Sequence, residues 1–256
     1  MPEDTILQEA GAQAQGYPAE GSREMIDAGV FYGRKKSKTN PKMRSYVLTN
    51  RGGIEIINLQ KTGEALVEAM AFVKEKAKTG AMMLFVGTEP AAEASILRIA
   101  TKFKMPYVNL RWIGGTITNY KIISSRVDYL KKVRADLASG ALVDKYTKKE
   151  RLEMEREVNR LESLMGGLEA LSREPEVLIM IDPDLHDTAV REAVIKKIPI
   201  VALANVDANP DVIDYLVPGN DKARKSIEWF LGHVEKAIEE GEAARNLVKA
   251  AIEAGK

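Results

Sequence analysis

The chain has 256 residues, with 38 Lys and Arg against 37 Asp and Glu, and no cysteine. This length suffices for a full core, in one large domain with an insertion or in two small domains. The lack of cysteine excludes disulfides, zinc ribbons, iron–sulfur clusters and a thiol nucleophile, and suits a reducing cytoplasm. No apolar run approaches the ~20 residues that span a bilayer, and no secretory signal is recognisable at the N-terminus. We therefore expect a soluble cytoplasmic protein.

Positive charge is concentrated in two stretches of the chain. Between residues 28 and 54 there are seven Lys or Arg residues and no acidic one. Between residues 94 and 127 there are six, again with no acidic one. Such stretches are candidates for contact with an anionic partner.

The first sixty residues combine a polar segment, a basic loop and two short strands. Residues 1–22 are rich in Ala, Gln, Gly and Glu, so we expect a mobile tail. Residues 23–28 can form a helical turn. Residues 32–44 surround Asn40-Pro41, a dipeptide that favours a turn, and the flanking Lys residues predict a cationic loop. The β-rich runs 46–49 and 54–58 are typical of a hairpin or of a strand followed by a loop.

Short apolar strands alternate with helices along most of the remaining chain, which predicts a parallel sheet covered on both faces. Strands are expected at residues 82–86, 107–109, 177–181, 200–204 and 215–217. Helices are expected at residues 63–78, 90–103, 185–196 and 221–240. Thr62 and Thr116 are expected to cap helices, and residues 241–256 to form a loosely held extension.

The pattern of residues 117–172 predicts an antiparallel α-helical hairpin, a coiled coil. It is expected to be an insertion into the sheet domain, which residues 23–116 and 173–240 form. Apolar residues recur at spacings of three and four, and a break falls at Ser139-Gly140. Thr147 and Glu150 form a capping box at the start of the second helix. Ten acidic and ten basic residues between 128 and 174 indicate a solvated projection.

Two possible enzymatic sites follow strands of the predicted sheet. Gly87-Thr88 lacks the glycine spacing and the lysine of a phosphate-binding loop, and a turn glycine is sufficient to explain it. Asp182, Asp184 and His186 could hold a divalent metal or provide a phospho-acceptor, although Asp-Pro-Asp is also typical of a helix start. The alternative function is thus a metal- or nucleotide-dependent phosphoryl-handling α/β enzyme that uses these three residues.

The two basic stretches also contain aromatic residues and glycines. Arg111-Trp112 lies beside Gly114-Gly115, and Tyr32 begins the other stretch. RNA binding requires basic side chains that contact phosphates, aromatic rings that stack on bases, and glycine backbone that a partner can approach closely. A solvated charged face, with Trp112 in the core, is the alternative for either stretch alone.

Several long motifs resemble the signature sequences of one known family, the small-subunit ribosomal protein S2 family of bacterial type. They are Pro-Tyr-Val-Asn-Leu-Arg-Trp-Ile-Gly-Gly-Thr-Ile-Thr-Asn at 106–119, Asn-Pro-Lys-Met at 40–43, Arg-Gly-Gly-Ile-Glu-Ile-Ile-Asn-Leu-Gln-Lys-Thr at 51–62 and Pro-Gly-Asn-Asp at 218–221. The resemblance covers residues 24–240, in order and with matching spacing.

The resemblance implies a Rossmann-like (flavodoxin-like) α/β domain of five parallel strands with a protruding helical hairpin. It implies a structural, non-enzymatic protein, bound to small-subunit rRNA at the head–body junction on the solvent side. We expect no cofactor and no metal. The expected partners are this rRNA and neighbouring ribosomal proteins, including the large mRNA-handling first protein of the subunit, and no membrane or second copy of the chain.

The candidate rRNA-binding residues come from the basic stretches and, by position, from the family motifs. They are Arg34, Lys35, Lys36, Lys38, Asn40, Lys42, Arg44, Arg51, Arg111, Trp112, Gly114, Gly115, Thr116 and Lys121. Where the family usually reads His-Phe-Gly-His, residues 31–34 are Phe-Tyr-Gly-Arg. We expect Arg34 and Lys35 to strengthen phosphate contacts there.

Overall fold

The computed structural model describes residues 19–139 and 146–254. Its strands are β1 Tyr32–Lys35, β2 Val47–Arg51, β3 Ile54–Ile57, β4 Met83–Val86, β5 Tyr107–Val108, β6 Val177–Ile181, β7 Ile200–Ala204 and β8 Tyr215–Pro218. Its α-helices are α1 Ala19–Asp27, α2 Leu59–Thr79, α3 Pro90–Phe103, α4 Tyr120–Ala138, α5 Lys148–Met165, α6 Asp187–Lys196 and α7 Arg224–Ala254. None of these helices combines the length and the apolarity that crossing a membrane requires.

Five strands form a parallel sheet in the order β5-β4-β6-β7-β8. All residues of β4, β6 and β7 are buried, which explains their uninterrupted apolar sequences. Taken in chain order the strands run 2-1-3-4-5, the order of flavodoxin-like folds. The predicted Rossmann-like parallel sheet is confirmed.

Alternate residues of each strand enter two different cores on the two faces of the sheet. Leu84 and Val86 of β4 pack on one face, with α6 and the ends of α4 and α5 nearest the sheet. Met83 and Phe85 pack on the other face, with α2, α3 and α7. This separation follows from the alternation of side chains along a strand.

The N-terminal part adds a three-stranded antiparallel sheet in the order β1-β3-β2. Strands β2 and β3 form a hairpin, which is one of the two alternatives that the sequence left open. Strand β1 corrects the prediction of a loop over residues 32–44. Its sequence, Tyr-Gly-Arg-Lys, has no apolar alternation, and the strand exists because it pairs with β3. A Cβ atom on Gly33 would lie 2.7 Å from the Glu55 carbonyl oxygen, so glycine permits the close approach.

The predicted helix caps at Thr62 and Thr116 are both wrong. The N-cap of α2 is Asn58, whose Oδ1 accepts hydrogen bonds from the amides of Gln60 and Lys61 at 3.0 and 3.4 Å. Thr62 is buried instead, and its hydroxyl donates to the Pro218 carbonyl. Helix α4 begins only at Tyr120, and the Thr116 hydroxyl donates to the Ile113 carbonyl at 2.6 Å.

The two ends of the described chain are more ordered than the sequence predicted. Helix α1 begins at Ala19, so residues 19–22 are helical rather than part of a tail, and residues 1–18 lie outside the described residues. Helix α7 continues to Ala254, where a loose extension was expected. Gly241 is buried against α2. A Cβ atom there would lie 2.5 Å from the Lys74 carbonyl oxygen, so glycine permits the close packing of α7 on α2.

Helices α4 and α5 form an antiparallel pair, which we call the arm. The Arg134 guanidinium of α4 lies 3.0 Å from Glu162 of α5. The start of α4 and the end of α5 line one cleft, and the end of α4 and the start of α5 line another. The capping box of Thr147 and Glu150 is confirmed. Helix α4 ends at Ala138, while Gly140 of the predicted break lies outside the described residues.

Candidate nucleic-acid interface

The loop of residues 109–119 leaves the carboxyl end of β5 and folds back over α6. Gly114 is exposed, and a Cβ atom added to it would have no neighbour within 4 Å, while Gly115 has a φ of +88°. Because that φ is in the left-handed region, glycine allows the turn at little steric cost. The turn directs several donors of the loop towards one carboxylate on α6.

That carboxylate belongs to Glu192, which is buried and 6% exposed. Its Oε1 accepts hydrogen bonds from Trp112 Nε1 at 3.0 Å and from the Gly115 amide at 2.8 Å. Its Oε2 accepts from the amides of Ile117 and Thr118, both at 3.0 Å, and from the Thr118 hydroxyl at 2.9 Å. The loop is therefore folded around a single ionisable side chain.

Two opposing effects act on the Glu192 carboxyl. Burial by itself raises its pKa, but the hydrogen bonds from Thr118, Trp112, Gly115 and Ile117 favour the charged form, and together they lower the pKa below its ordinary value. The carboxylate is thus ionised at neutral pH. Sequence reasoning missed this residue, although an acidic residue beside Ala189 and Ala193 on a buried helix face is an available signal.

Because of these hydrogen bonds, some of the predicted contact residues of the loop point into the protein and others face solvent. Trp112 is half-buried, packs against the core and donates its indole N–H to Glu192. Thr116 is buried. Arg111 and Gly114 are exposed, and within the described residues Arg111 makes no ion pair. The loop therefore presents Arg111 and bare backbone to solvent.

The first basic stretch is anchored at the carboxyl end of β7. The amide of Asn40 donates to the Val206 carbonyl at 2.8 Å, and its Oδ1 accepts from the Lys42 amide at 3.1 Å. Met43 is fully buried in the core. The ammonium of Lys42 pairs with Asp211. Asn40 and Met43 thus fix the backbone of the stretch.

The remaining cations of this stretch differ in exposure. Arg51 is half-buried in β2, whereas four side chains are exposed without an ion pair in the part of the chain that the structure describes. These four are Lys35, Lys36, Lys38 and Arg44. Because the carboxyl ends of parallel strands share one edge of the sheet, the anchored basic stretch and the loop 109–119 border the same edge. Lys121 is exposed at the start of α4.

Comparison with known proteins identifies the family. Residues 25–241 match the family described as Ribosomal protein S2. The chain belongs to the ribosomal protein S2 family. It is 41% identical to the small ribosomal subunit protein uS2 of Geotalea uraniireducens over 225 residues, or 88% of each chain. It is 41% identical to uS2 of Thermus thermophilus over 216 residues, or 84% of each chain. It is 40% identical to uS2c of Cyanophora paradoxa over 218 residues, or 85% of this chain and 93% of the other.

Arg34 holds an internal ion cluster in this member of the S2 family. Its guanidinium lies 3.0 Å from Asp207, 3.0 Å from Asp221 and 3.7 Å from Asp182, carboxylates that follow three adjacent strands of the parallel sheet. The ammonium of Lys222 lies 2.7 Å from Asp182. The charge of Arg34 is thus compensated inside the protein, whereas the next residue, Lys35, is exposed.

The cluster also changes the protonation of Asp221. Burial and the repulsion of the nearby Asp182 carboxylate raise the pKa of Asp221 to about 7, against the opposing effect of Arg34. Its Oδ1 forms an ion pair with Arg34 and accepts a hydrogen bond from the side-chain Nδ2 of Asn205. Its buried Oδ2 has no hydrogen-bond partner within the described chain. This carboxyl therefore titrates near neutral pH.

Asp182 and His186, the residues of the enzymatic alternative, have structural partners in this S2-family chain. Asp182 Oδ1 accepts from the Leu185 amide at 3.1 Å in the turn before α6. His186 Nδ1 lies 2.8 Å from the Asp182 carbonyl and acts as donor there, so that Nε2 accepts from the Thr88 amide at 3.3 Å. Burial lowers the pKa of His186. Asp184 is exposed, and the described residues contain no group of three His, Cys, Asp or Glu that could hold a metal.

Proposed function

We propose that this protein is a non-enzymatic structural constituent of the small ribosomal subunit and binds the rRNA of that subunit. Membership of the S2 family and the names of its relatives, small ribosomal subunit proteins, support this function. The structural observation that best supports rRNA binding concerns the Glu192 carboxylate. It holds the loop 109–119 so that Arg111 and Gly114 face solvent.

The proposed contact surface is the set of exposed cations on the carboxyl edge of the sheet, together with the loop 109–119. Arg and Lys side chains that have no carboxylate partner are available to phosphate oxygens, and exposed glycine backbone allows the close approach of a sugar–phosphate chain. Asn40, Trp112 and Thr116 support this surface from within. Lys35, Lys36, Lys38, Arg44, Arg111 and Lys121 supply its charge.

The proposal extends to the neighbours expected from the family resemblance. The protein occupies the cytoplasmic ribosome, and its vicinity helps to recruit the large mRNA-handling first protein of the small subunit. These partners are supported by family membership rather than by a contact in the chain itself.

Binding of the full chain to a fluorescently labelled transcript of small-subunit rRNA, titrated at several salt concentrations, tests the proposal. We compare the wild type with a variant that carries Lys36→Gln, Lys38→Gln and Arg44→Gln. Each lost phosphate contact should reduce the slope of log affinity against log salt by about 0.7–0.9. The control carries Lys236→Gln, which removes an exposed charge from the middle of α7, on the opposite face of the sheet and away from its carboxyl edge.

Equal affinity and equal salt slope in the wild type and the triple variant would contradict the proposed surface. Failure of the wild type to bind rRNA, or to co-sediment with small subunits at low salt, would contradict the proposed function itself. We expect co-sedimentation at low salt and release at high salt, because phosphate contacts release counterions.

A further inference from the structure

Two clefts meet where the arm joins the loop 109–119. One, of about 470 Å³, is lined on the loop side by Arg111 and Trp112. The other, of about 420 Å³, extends along α4 to Tyr129. They share three lining residues, so they form one continuous surface, which we call the junction surface. Its main residues are Arg111, Trp112, Lys121, Ile122, Arg126 and Tyr129.

The junction surface exposes large apolar side chains along one face of α4. Ile122 is 53% exposed and Tyr129 is 56% exposed. They are seven residues apart, and Arg126 lies between them on the same helix face. Exposed apolar side chains grouped in this way mark an interaction site rather than an ordinary solvated helix.

The charge of the surface favours an anionic partner. Arg111, Lys121 and Arg126 are exposed, and no ion pair joins them to any other described residue. Glu157 is the one carboxylate among the described residues that line the two clefts, and the Arg160 guanidinium binds both of its oxygens at 3.0 Å. The described part of the surface therefore carries an uncompensated positive charge.

We propose that the junction surface binds an unpaired nucleotide of the rRNA, with its base against Tyr129 and Ile122 and its phosphate on Arg126. This inference rests on the proposed function and adds a binding mode on the arm. An unpaired base offers an aromatic face and an adjacent phosphate, the combination that an alternation of aromatic and cationic side chains recognises. Each cleft has a volume within the range of about 300–1,000 Å³ that is typical of small-ligand sites.

An apolar peptide helix fits this surface less well than a nucleotide does. It would cover Ile122 and Tyr129, but it would also have to supply carboxylates to three unpaired cations or bury them without partners. A nucleotide covers the apolar side chains with its base and supplies negative charge to the cations with its phosphate.

The test uses the full-length protein and a fluorescent transcript of small-subunit rRNA. Tyr129→Leu keeps an apolar side chain but removes the aromatic plane, and we expect about a tenfold loss of affinity. Tyr129→Phe keeps the plane and should bind like the wild type. Arg126→Gln should weaken binding and reduce the salt slope by about 0.7–0.9, whereas the control Lys236→Gln, on the opposite face of the sheet, should not. Thermal unfolding of each variant checks that the fold is intact.

A second measurement locates the contact. The wild type is cross-linked by ultraviolet light to rRNA that contains 4-thiouridine, and the peptides are mapped. We expect a peptide that contains Tyr129, joined to a nucleotide that chemical probing shows to be unpaired. A wild type that binds rRNA while Tyr129→Leu binds equally well, or whose cross-links avoid α4, overturns this inference and leaves the proposed function intact. A wild type that does not bind rRNA overturns both.

Discussion

The indole nitrogen of Trp112 lies 3.0 Å from Oε1 of Glu192, a hydrogen bond between residues 80 positions apart in the chain. It joins the loop after β5 to the helix after β6. The indole N–H is directed into the protein by this bond, so the ring has a fixed orientation within the junction surface. Trp112 is thereby a supporting residue of the loop, and Arg111 is the neighbour that faces solvent.

Glu192→Gln should destabilise the protein by about 3 kcal/mol, because hydrogen bonds to a charged acceptor each contribute about 1.5–3 kcal/mol. The amide nitrogen of Gln cannot accept the hydrogen bonds that one carboxylate oxygen now receives. Urea unfolding measures the loss. Glu174→Gln, which removes an exposed carboxylate paired with Lys196, should change stability by no more than about 0.5 kcal/mol. An equally small effect of Glu192→Gln would contradict the role that we assign to this residue.

The contribution of Glu192 should also depend on pH in a definite direction. Its pKa is lower in the folded protein than its ordinary value. The stabilisation is therefore complete above the unfolded pKa of about 4.3 and is lost as pH falls through the folded pKa. The stability difference between the wild type and Glu192→Gln should be constant from about pH 6 to pH 7 and shrink below about pH 4.

Much of the fold was predictable from local patterns. The strands of residues 177–181 and 200–204 were predicted with their observed bounds, since each is a short apolar run between turn residues. The capping box at Thr147 was also predictable, because both of its partners lie within four residues. These features depend on neighbours in sequence, which is where pattern reasoning is strongest.

The remaining features depend on partners that are distant in sequence. Strand β1 has no apolar alternation and forms by pairing with β3. The donors to Glu192 are 74 to 80 residues away from it. Arg34 lies 148 residues before Asp182 in the chain, and both belong to a cluster assembled from separate loops. A single sequence contains no local signal that specifies such pairings.

Asp221→Asn should flatten the pH dependence of stability near neutral pH. Folding raises the pKa of Asp221 to about 7, so the folded state holds the proton more tightly and stability falls as pH rises towards 7. Asn keeps an acceptor for Arg34 and carries no charge. Denaturation at about pH 5.5 and pH 8 measures the slope, with the exposed Asp184→Asn as control. An unchanged slope in Asp221→Asn would contradict the assignment.

Arg34→Met should reduce stability rather than affinity for rRNA. Among the described residues, the change leaves the carboxylates of Asp182, Asp207 and Asp221 with Lys222 as their ion-pair cation, and breaking a buried ion pair costs about 3–5 kcal/mol. Because Arg34 is partly exposed, we expect the lower end of that range. The loss should be smaller at about pH 6, where Asp221 can be protonated.

The neighbouring residue supplies the matched control for Arg34. Lys35 is exposed and unpaired within the described chain, so Lys35→Met should lower rRNA affinity with little effect on unfolding. Urea unfolding and rRNA binding are measured for both variants. The opposite result, with affinity lost in Arg34→Met and its stability unchanged, would show that Arg34 contacts phosphate after all.

Gly167→Ala should destabilise the protein by about 2 kcal/mol, the usual cost of overpacking. A Cβ atom at this position would lie 2.3 Å from the Tyr107 carbonyl oxygen, so the segment after α5 could no longer approach β5. Gly166→Ala is the control, because its Cβ atom would have its nearest neighbour, Glu162 Cγ, at 3.5 Å. Thermal unfolding distinguishes the two variants, and equal melting temperatures would contradict this packing argument.

We expect the arm to be an insertion that can be shortened without unfolding the sheet domain. The variant lacks residues 132–156 and carries a flexible linker of about four residues, which spans the ~8–10 Å between packed helices. It retains Ile123, Val127 and Met165, which pack in the core. It also loses the ion pairs of Arg134 with Glu162 and with Glu169, which are partly exposed and contribute little.

The shortened protein should unfold in a single cooperative transition with near-wild-type stability. It should also keep the rRNA cross-link at Tyr129, because the junction surface lies at the retained base of the arm. Urea unfolding followed by circular dichroism and the cross-linking assay measure these two outcomes. A non-cooperative transition would show that the outer part of the arm belongs to the folding unit of the sheet. A cooperative fold without the Tyr129 cross-link would instead place the RNA contact beyond Tyr129 on the arm.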